Sequence, residues 1–227
     1  MQAKLSIIIP SLDAASSLPA TLDALLPGVA VGVIREVLLS DGGSTDATCQ
    51  IADDAGCEIV TGAPGRGQQL VRGASAARGE WLLFLHADTH LPEAWVGAVV
   101  QHMSGSSDAA VFELTFRARG LLPALVASWA NLRTRSFGLP YGDQGLLISR
   151  RLYDEIGGFE QIPLMEDVAM ARALKGRITV LPEAVSTDAV RYQKSGWIRR
   201  GARNLWTLAR YSLGADPTKL AKRYHKS

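Results

Sequence analysis

Four acidic positions stand where acids can do chemistry. Asp88 closes the run Trp81-Leu82-Leu83-Phe84-Leu85-His86-Ala87, Asp41 closes Glu36-Val37-Leu38-Leu39-Ser40, and the pair Glu166-Asp167 opens a helical stretch. A carboxylate at the carboxyl end of a parallel strand lies in the crevice where open α/β sheets bind their ligands. There its oxygens can ligate a hard cation or take up a proton. Each acid also has a plainer role open to it. Asp88 can cap a helix beginning near Pro92, Ser44 to Asp46 can cap the helix that follows Asp41, and adjacent acids at a helix start suit its dipole.

Such residues need strands to carry them. Trp81 to Leu85 is five large apolar residues in succession between Gly79 and the Pro92 turn. That pattern predicts a strand buried on both faces, the kind found in parallel sheets. Leu5 to Ile9, closed by Pro10, predicts a first strand, followed by a helix with Leu18, Leu22, Leu25 and Leu26 at helical spacing. Glu36 to Ser40 is a second strand, with Gly42 and Gly43 allowing a ligand close to the backbone. A helix from about Ala47 to Ala55 and a short strand, Glu58 to Thr61, come next. Gly62 to Gly67 then leads into a helix over Gln68 to Arg78. Gly65-Arg66-Gly67 is no dinucleotide fingerprint, because Leu70 stands where the third glycine belongs.

Beyond Asp88 the pattern predicts a helix over Pro92 to Met103 and a strand over Ala109 to Phe116. Leu121 to Leu132 is a nearly uncharged helical segment too short to span a bilayer. It reads as a core helix or as an apolar surface facing an acceptor or a membrane. Leu146 to Ile148, a helix ending at Gly157-Gly158, and a helix over Val168 to Lys175 complete the α/β pattern.

The 227 residues suit one α/β domain, and 47% hydrophobic with 20% charged residues is ordinary for a globular protein. No apolar run reaches membrane-span length and the start carries no signal pattern, so a cytoplasmic protein is expected. Cys49 and Cys57 have no partners at metal-ligand spacing and read as reduced, partly buried thiols. Net charge is +2 but unevenly spread: residues 191–227 hold ten Lys/Arg against one acid, or +9, leaving 14 against 21, or −7, for residues 1–190.

With these residues assembled, the chain resembles a family 2 glycosyltransferase of the GT-A fold, in a compact bacterial branch with His-Ala-Asp in place of the usual acidic metal-binding triplet. The resemblance rests on SIIIPS (Ser6 to Ser11), LSDGGSTDAT (Leu39 to Thr48), GEWLLFLHADT (Gly79 to Thr89), YGDQGLLISRRLYDEIGGF (Tyr141 to Phe159) and MEDVAMARAL (Met165 to Leu174), in that order. It implies a single GT-A domain with a mostly parallel central sheet flanked by helices, over residues 1–190, and a basic helical extension over residues 191–227 packed on it.

The resemblance also implies roles. Pro10, Ser11, Asp13, Asp41 and Gly42 would bind the base and ribose of a nucleoside diphosphate sugar, with a UDP-sugar favoured. Ala87 and Asp88 would contact the sugar nucleotide, and Asp88 would ligate Mn²⁺ or Mg²⁺. His86 would join it as a second ligand, hydrogen-bond the ribose or pack beneath the site. Asp167 would be the catalytic base, with Glu166 beside it, and Gly142, Asp143 and Gln144 would contact donor sugar or acceptor. Arg66 can pair with the diphosphate or stand solvated at its helix start. The implied reaction is a metal-dependent, inverting transfer of one sugar to a hydroxyl, since the Gln-x-x-Arg-Trp motif of processive synthases is missing. Asp13-Ala14 also departs from the family's Asn-Glu.

Two other readings compete. A sugar-nucleotide nucleotidyltransferase would want a Gly- and Lys/Arg-containing loop after the first strand, and Leu12 to Leu18 has none. A degenerate nucleotide-binding or membrane-docking protein is the non-enzymatic alternative. In the basic tail, Ser195 to Leu213 places Ile198, Ala202, Leu205 and Ala209 on one side of a helix and Arg199, Arg203, Arg210 and Trp206 on another. It is expected to pack on the domain with its polar face in water, or to touch a membrane peripherally and so offer a lipid-linked acceptor. Nucleic acid is not an expected partner, because the remainder of the chain is acidic.

Overall fold

The computed structural model describes residues 3–225. In chain order the first half comprises β1 (Leu5–Ser11), α1 (Leu18–Asp23), α2 (Leu26–Ala30), β2 (Ile34–Asp41), α3 (Thr48–Asp54), β3 (Glu58–Thr61), α4 (Arg66–Ala76) and β4 (Trp81–Phe84). Then come β5 (Thr89–His90), α5 (Trp95–Gly105), β6 (Ala109–Phe116), α6 (Leu121–Phe137), a 3-10 turn (Gly142–Gln144), β7 (Leu146–Ser149), α7 (Arg150–Glu155), α8 (Glu166–Ala173) and β8 (Ile178–Thr187). Three helices follow: α9 (Val190–Ser195), α10 (Trp197–Ser212) and α11 (Pro217–His225).

All eight strands form one sheet in the order β3-β2-β1-β4-β7-β6-β8-β5. The β1–β2, β1–β4, β2–β3 and β6–β8 pairs are parallel, while β4–β7, β6–β7 and β5–β8 are antiparallel. Helices cover both faces, which is why the central strands are unbroken apolar runs. Ile7, Ile9, Leu83 and Trp95 fill one side of the sheet, and Ile8, Leu82, Phe84 and Phe159 fill the other. This is the mixed α/β, mostly parallel sheet that the resemblance implies.

Several expectations are corrected in detail. The strand Trp81–Phe84 is buried on both faces, but only its β1 neighbour is parallel; β7 runs against it. Asp88 does not cap a helix near Pro92. The helix begins at Trp95 after Ala94, and Thr89 and His90 first pair with Thr187 and Ser186. The long strand β8 had no counterpart in the sequence pattern.

The helix α10 sits the opposite way round from the expected packed helix. Its buried residue is Thr207, and Ile198 and Leu205 on the apolar side face solvent. The inward face mixes aromatic and polar contacts: Trp197 stacks on Tyr192 and Asn204 donates to the Tyr192 hydroxyl at 3.2 Å, while at the end of the helix Arg172 of α8 donates to Ser212 Oγ at 2.7 Å. Cys49 and Cys57 are both free, and burial pushes the Cys57 thiol up to about 11. Among the described residues no helix is long and apolar enough to cross a membrane.

Candidate active site

The carboxyl ends of β1, β2 and β4 lie side by side, because the register pairs Ser11 with Asp41 and Ile8 with Phe84. Loops after these strands therefore meet at one edge. Asp41, nearly fully buried, accepts from the amides of Gly43 at 2.7 Å and Ser44 at 2.9 Å, and from the Ser44 hydroxyl. Burial raises its pKa, but those hydrogen bonds outweigh it and hold the carboxyl below its ordinary range. Asp13 turns through a left-handed conformation (φ 48°) and accepts from the Thr45 amide at 2.8 Å, while its own amide donates to Ser44 Oγ at 2.9 Å. The two acids thus brace the loops after β1 and β2, leaving Pro10, Ser11 and Gly42 to shape the floor between them. The Gly42 amide donates to the Ser11 carbonyl at 2.9 Å.

A residue that periodicity passes over fastens this floor. Gln69 of α4 is buried, and its Nε2 donates to the carbonyls of Ser11 at 2.7 Å and Ser40 at 3.0 Å. A polar residue one turn into a helix that follows a glycine loop reads as solvated in sequence. Here Gly42 leaves room for it, since a β-carbon there would stand 3.1 Å from Gln69 Nε2.

Four other acids converge at the end of β4. Arg66, the first residue of α4, brings its Nε within 3.5 Å of Glu166 Oε1 and its Nη2 within 2.5 Å of His86 Nε2. His86 Nδ1 lies 2.6 Å from Asp143 Oδ1. Arg66 Nη2 also lies 2.8 Å from His86 Nδ1, so it faces both ring nitrogens, and which of them donates or accepts follows the tautomer. Burial pushes the Arg66 pKa down, but Glu166, Asp143, Asp167 and Asp88 together push it up, so the guanidinium stays charged at the centre of the acidic ring. Glu166 is buried, and burial followed by the charge of Asp167 raises its pKa against the pull of Arg66. Asp167 accepts from the Gly142 amide at 3.1 Å and from the Val168 amide at 2.8 Å.

The 3-10 turn carries this contact because Gly142 has no side chain: a β-carbon there would stand 2.8 Å from His86 Nε2. Gln144 does not face the site. It is fully buried, accepting from Thr134 at 2.8 Å and from the Tyr141 amide at 3.0 Å and donating to the Phe112 carbonyl at 2.9 Å, so it shapes the turn from behind. Arg133 of α6, also absent from the sequence reading, is buried with its guanidinium 3.5 Å from the Tyr141 ring centroid. Beside the acids lies an apolar hollow lined by Phe84, Tyr141, Phe159, Met170 and Leu174.

Asp88 is half-buried, and its backbone carbonyl accepts from Arg117 at 3.0 Å. The Ala87 carbonyl accepts from Thr21 at 2.9 Å, which fixes the turn that presents Asp88. Among the described residues no group of three or more His, Cys, Asp or Glu side chains could hold a metal ion by protein ligands alone. Asp143 is held by His86, Glu166 by Arg66 and Asp167 by two backbone amides, which makes Asp88 the candidate oxygen ligand at this edge. A single carboxylate fits a hard cation that takes its remaining ligands from phosphate oxygens and water.

The model of the family described as Glycosyl transferase family 2 matches residues 6–142. A PGL/p-HBAD biosynthesis glycosyltransferase of Mycobacterium bovis is 40% identical over 103 residues, covering 39% of this chain and 37% of its own length. The matched stretch is thus little more than a third of that relative. The solved structure of glucosyl-3-phosphoglycerate synthase from Mycobacterium tuberculosis with Mn²⁺, UDP-glucose and phosphoglyceric acid superposes with a TM-score of 0.60 at 20% identity, over 82% of this chain and 70% of that one. The same enzyme with Mg²⁺ and UDP gives 0.58 at 18% identity, over 82% and 69%. At these identities the likeness is one of fold.

Proposed function

The chain belongs to glycosyl transferase family 2, and from that premise we propose that it moves one sugar from a UDP-sugar to an acceptor hydroxyl with inversion, in a metal-dependent and non-processive reaction. The observation that carries the reading is the meeting at one sheet edge of Asp88 after β4, Arg66 at the start of α4, and Glu166-Asp167 at the start of α8. A sugar nucleotide needs opposite functions on its two sides: positive charge for the leaving diphosphate and a carboxylate for the incoming hydroxyl. Arg66 and Asp167 supply them. The mycobacterial synthase that shares the fold was solved with Mn²⁺ and UDP-glucose, which supports a UDP-sugar donor.

In this reading the loops braced by Asp13 and Asp41 receive base and ribose, and Gly42, packed against Gln69 and Pro64, holds the floor beneath them. Arg66, fixed by Glu166 and His86, holds the diphosphate oxygens. Mn²⁺ or Mg²⁺ held through Asp88 would neutralise charge on the departing diphosphate. Asp167 accepts the acceptor's proton as that oxygen forms its bond to the anomeric carbon and the bond to the diphosphate breaks. Attack from the face opposite the leaving group inverts the anomeric carbon. Residues 1–190 act as the transferase unit in this proposal and residues 191–227 as its extension.

The experiment is calorimetric titration of UDP, GDP, TDP and CDP into the full chain, each with and without Mn²⁺, repeated on Asp88→Ala. Binding of UDP that requires both Mn²⁺ and Asp88 is expected. Absence of metal-linked binding to every diphosphate would overturn the reading.

A further inference from the structure

Two neighbouring helices turn apolar stripes to solvent. On α6, Leu121, Leu125, Trp129 and Leu132 recur at helical spacing on the outer side, and Leu121 is 83% exposed. The opposite side of α6 is buried through Pro123, Ala127, Ala130 and Thr134, so the stripe is not a frayed core face. Beside it, Ile198 and Leu205 of α10 and Leu213 just after it face outward, Ile198 at 75% and Leu213 at 87% exposure, with Trp206 at 67% next to them. Folding has turned Trp197, Asn204, Thr207 and Tyr211 of this helix inward and left its aliphatic side in water. A soluble surface helix does the reverse.

The inward side of α10 is fastened, so the exposure is built in. Tyr192 and Trp197 stack with ring centroids 4.9 Å apart, and Phe116 at the end of β6 meets both rings edge-on. Tyr211 lies 5.1 Å from the Arg172 guanidinium. Turning α10 to hide its leucines would break the contacts of Trp197 and Tyr211. Contiguous apolar surface of this kind marks an interaction site.

We infer that the outer faces of α6 and α10 together form a docking surface for an anionic lipid bilayer. Charge selects this occupant. Lys194 and Arg199 are exposed at the start of the α10 stripe, and Arg119 is exposed just before α6. Cations around an apolar face with tryptophan at its border are what the headgroup boundary of an anionic membrane attracts. A second copy of the chain is disfavoured, because a twofold contact would bring the same cations face to face.

The test is co-sedimentation of the full chain with phosphatidylcholine vesicles, with and without phosphatidylglycerol, in low and high salt. Two double variants accompany it, Ile198→Glu with Trp206→Glu and Leu121→Glu with Leu125→Glu, all at exposed positions. The wild type is expected to pellet with phosphatidylglycerol vesicles and to be released by salt, and each double variant to bind about tenfold or more weakly. UDP affinity and thermal unfolding should stay unchanged in both variants. Failure of the wild type to bind phosphatidylglycerol vesicles, or equal binding by the variants, would overturn the inference. So would a wild-type dimer in light scattering that the variants convert to monomer without any vesicle binding. Vesicle binding needs no donor nucleotide, so this outcome is independent of the transferase reading.

Discussion

The backbone amide of Gly142 donates to Oδ2 of Asp167 at 3.1 Å, tying the 3-10 turn to the start of α8. Asp167 is thereby aimed by backbone rather than by another side chain. Asp167→Asn can keep this contact through its amide oxygen while losing the ability to take a proton. The expected result is a fall in kcat of about 10²- to 10⁴-fold, with UDP affinity in calorimetry changed by less than about twofold. Full transfer activity in Asp167→Asn would remove it as the base.

Two glycines separate a functional from a structural role. An added β-carbon at Gly142 meets the imidazole of His86, a buried side chain held by Arg66 and Asp143. Gly142→Ala should therefore lower the melting temperature less than Gly67→Ala does and slow transfer by about tenfold or more, through displacement of His86 and Arg66. At Gly67 the same atom would stand 2.4 Å from the Glu160 carbonyl and 2.7 Å from that of Ile162, which are backbone. Gly67→Ala should cost about 1–3 kcal/mol in denaturant unfolding.

The contrast between these sites and the scaffold explains what could be read from residues alone. Strands β1, β2 and β4 were legible because Ile7 to Ile9, Leu38 to Leu39 and Leu82 to Phe84 are buried on both faces and need no partner to announce themselves. Strand β8 was not, because Pro182 and Glu183 interrupt it and the register against β6 shifts there. The acids Asp41, Asp88, Glu166 and Asp167 stood out at element ends, whereas Gln69 and Arg133 lie inside helices, where a polar residue reads as solvated. Amphipathicity found α10 but not its orientation. A stripe of Ile198, Leu205 and Ala209 says that one side differs from the other, and only the Tyr192, Asn204 and Tyr211 contacts decide which side is inside.

Gln69 provides a stability test of the donor floor. Gln69→Leu fills similar space but strips the hydrogen bonds from the buried carbonyls of Ser11 and Ser40. A loss of about 2–3 kcal/mol in urea unfolding is expected, together with weaker UDP binding as the ends of β1 and β2 relax. Unchanged stability would mean that these carbonyls find other partners.

Glu166 makes a pH prediction whose sign follows from its raised pKa. Burial and the neighbouring Asp167 charge lift it above the ordinary value of 4.5, so the folded state keeps the Glu166 proton in a range where the unfolded chain has released it. The corresponding stability is fully present below pH 4.5 and is lost as the pH rises through the folded-state pKa. Glu166→Gln mimics the protonated form and keeps a carbonyl oxygen near Arg66. Its melting temperature should therefore exceed that of the wild type at neutral pH, and the difference should shrink toward pH 4.5, as read by thermal unfolding across pH. Donor affinity should move the other way, because Arg66 loses the charge that orients it toward the diphosphate. A variant less stable than the wild type at neutral pH would show instead that the Arg66–Glu166 attraction outweighs the cost of burying the carboxylate.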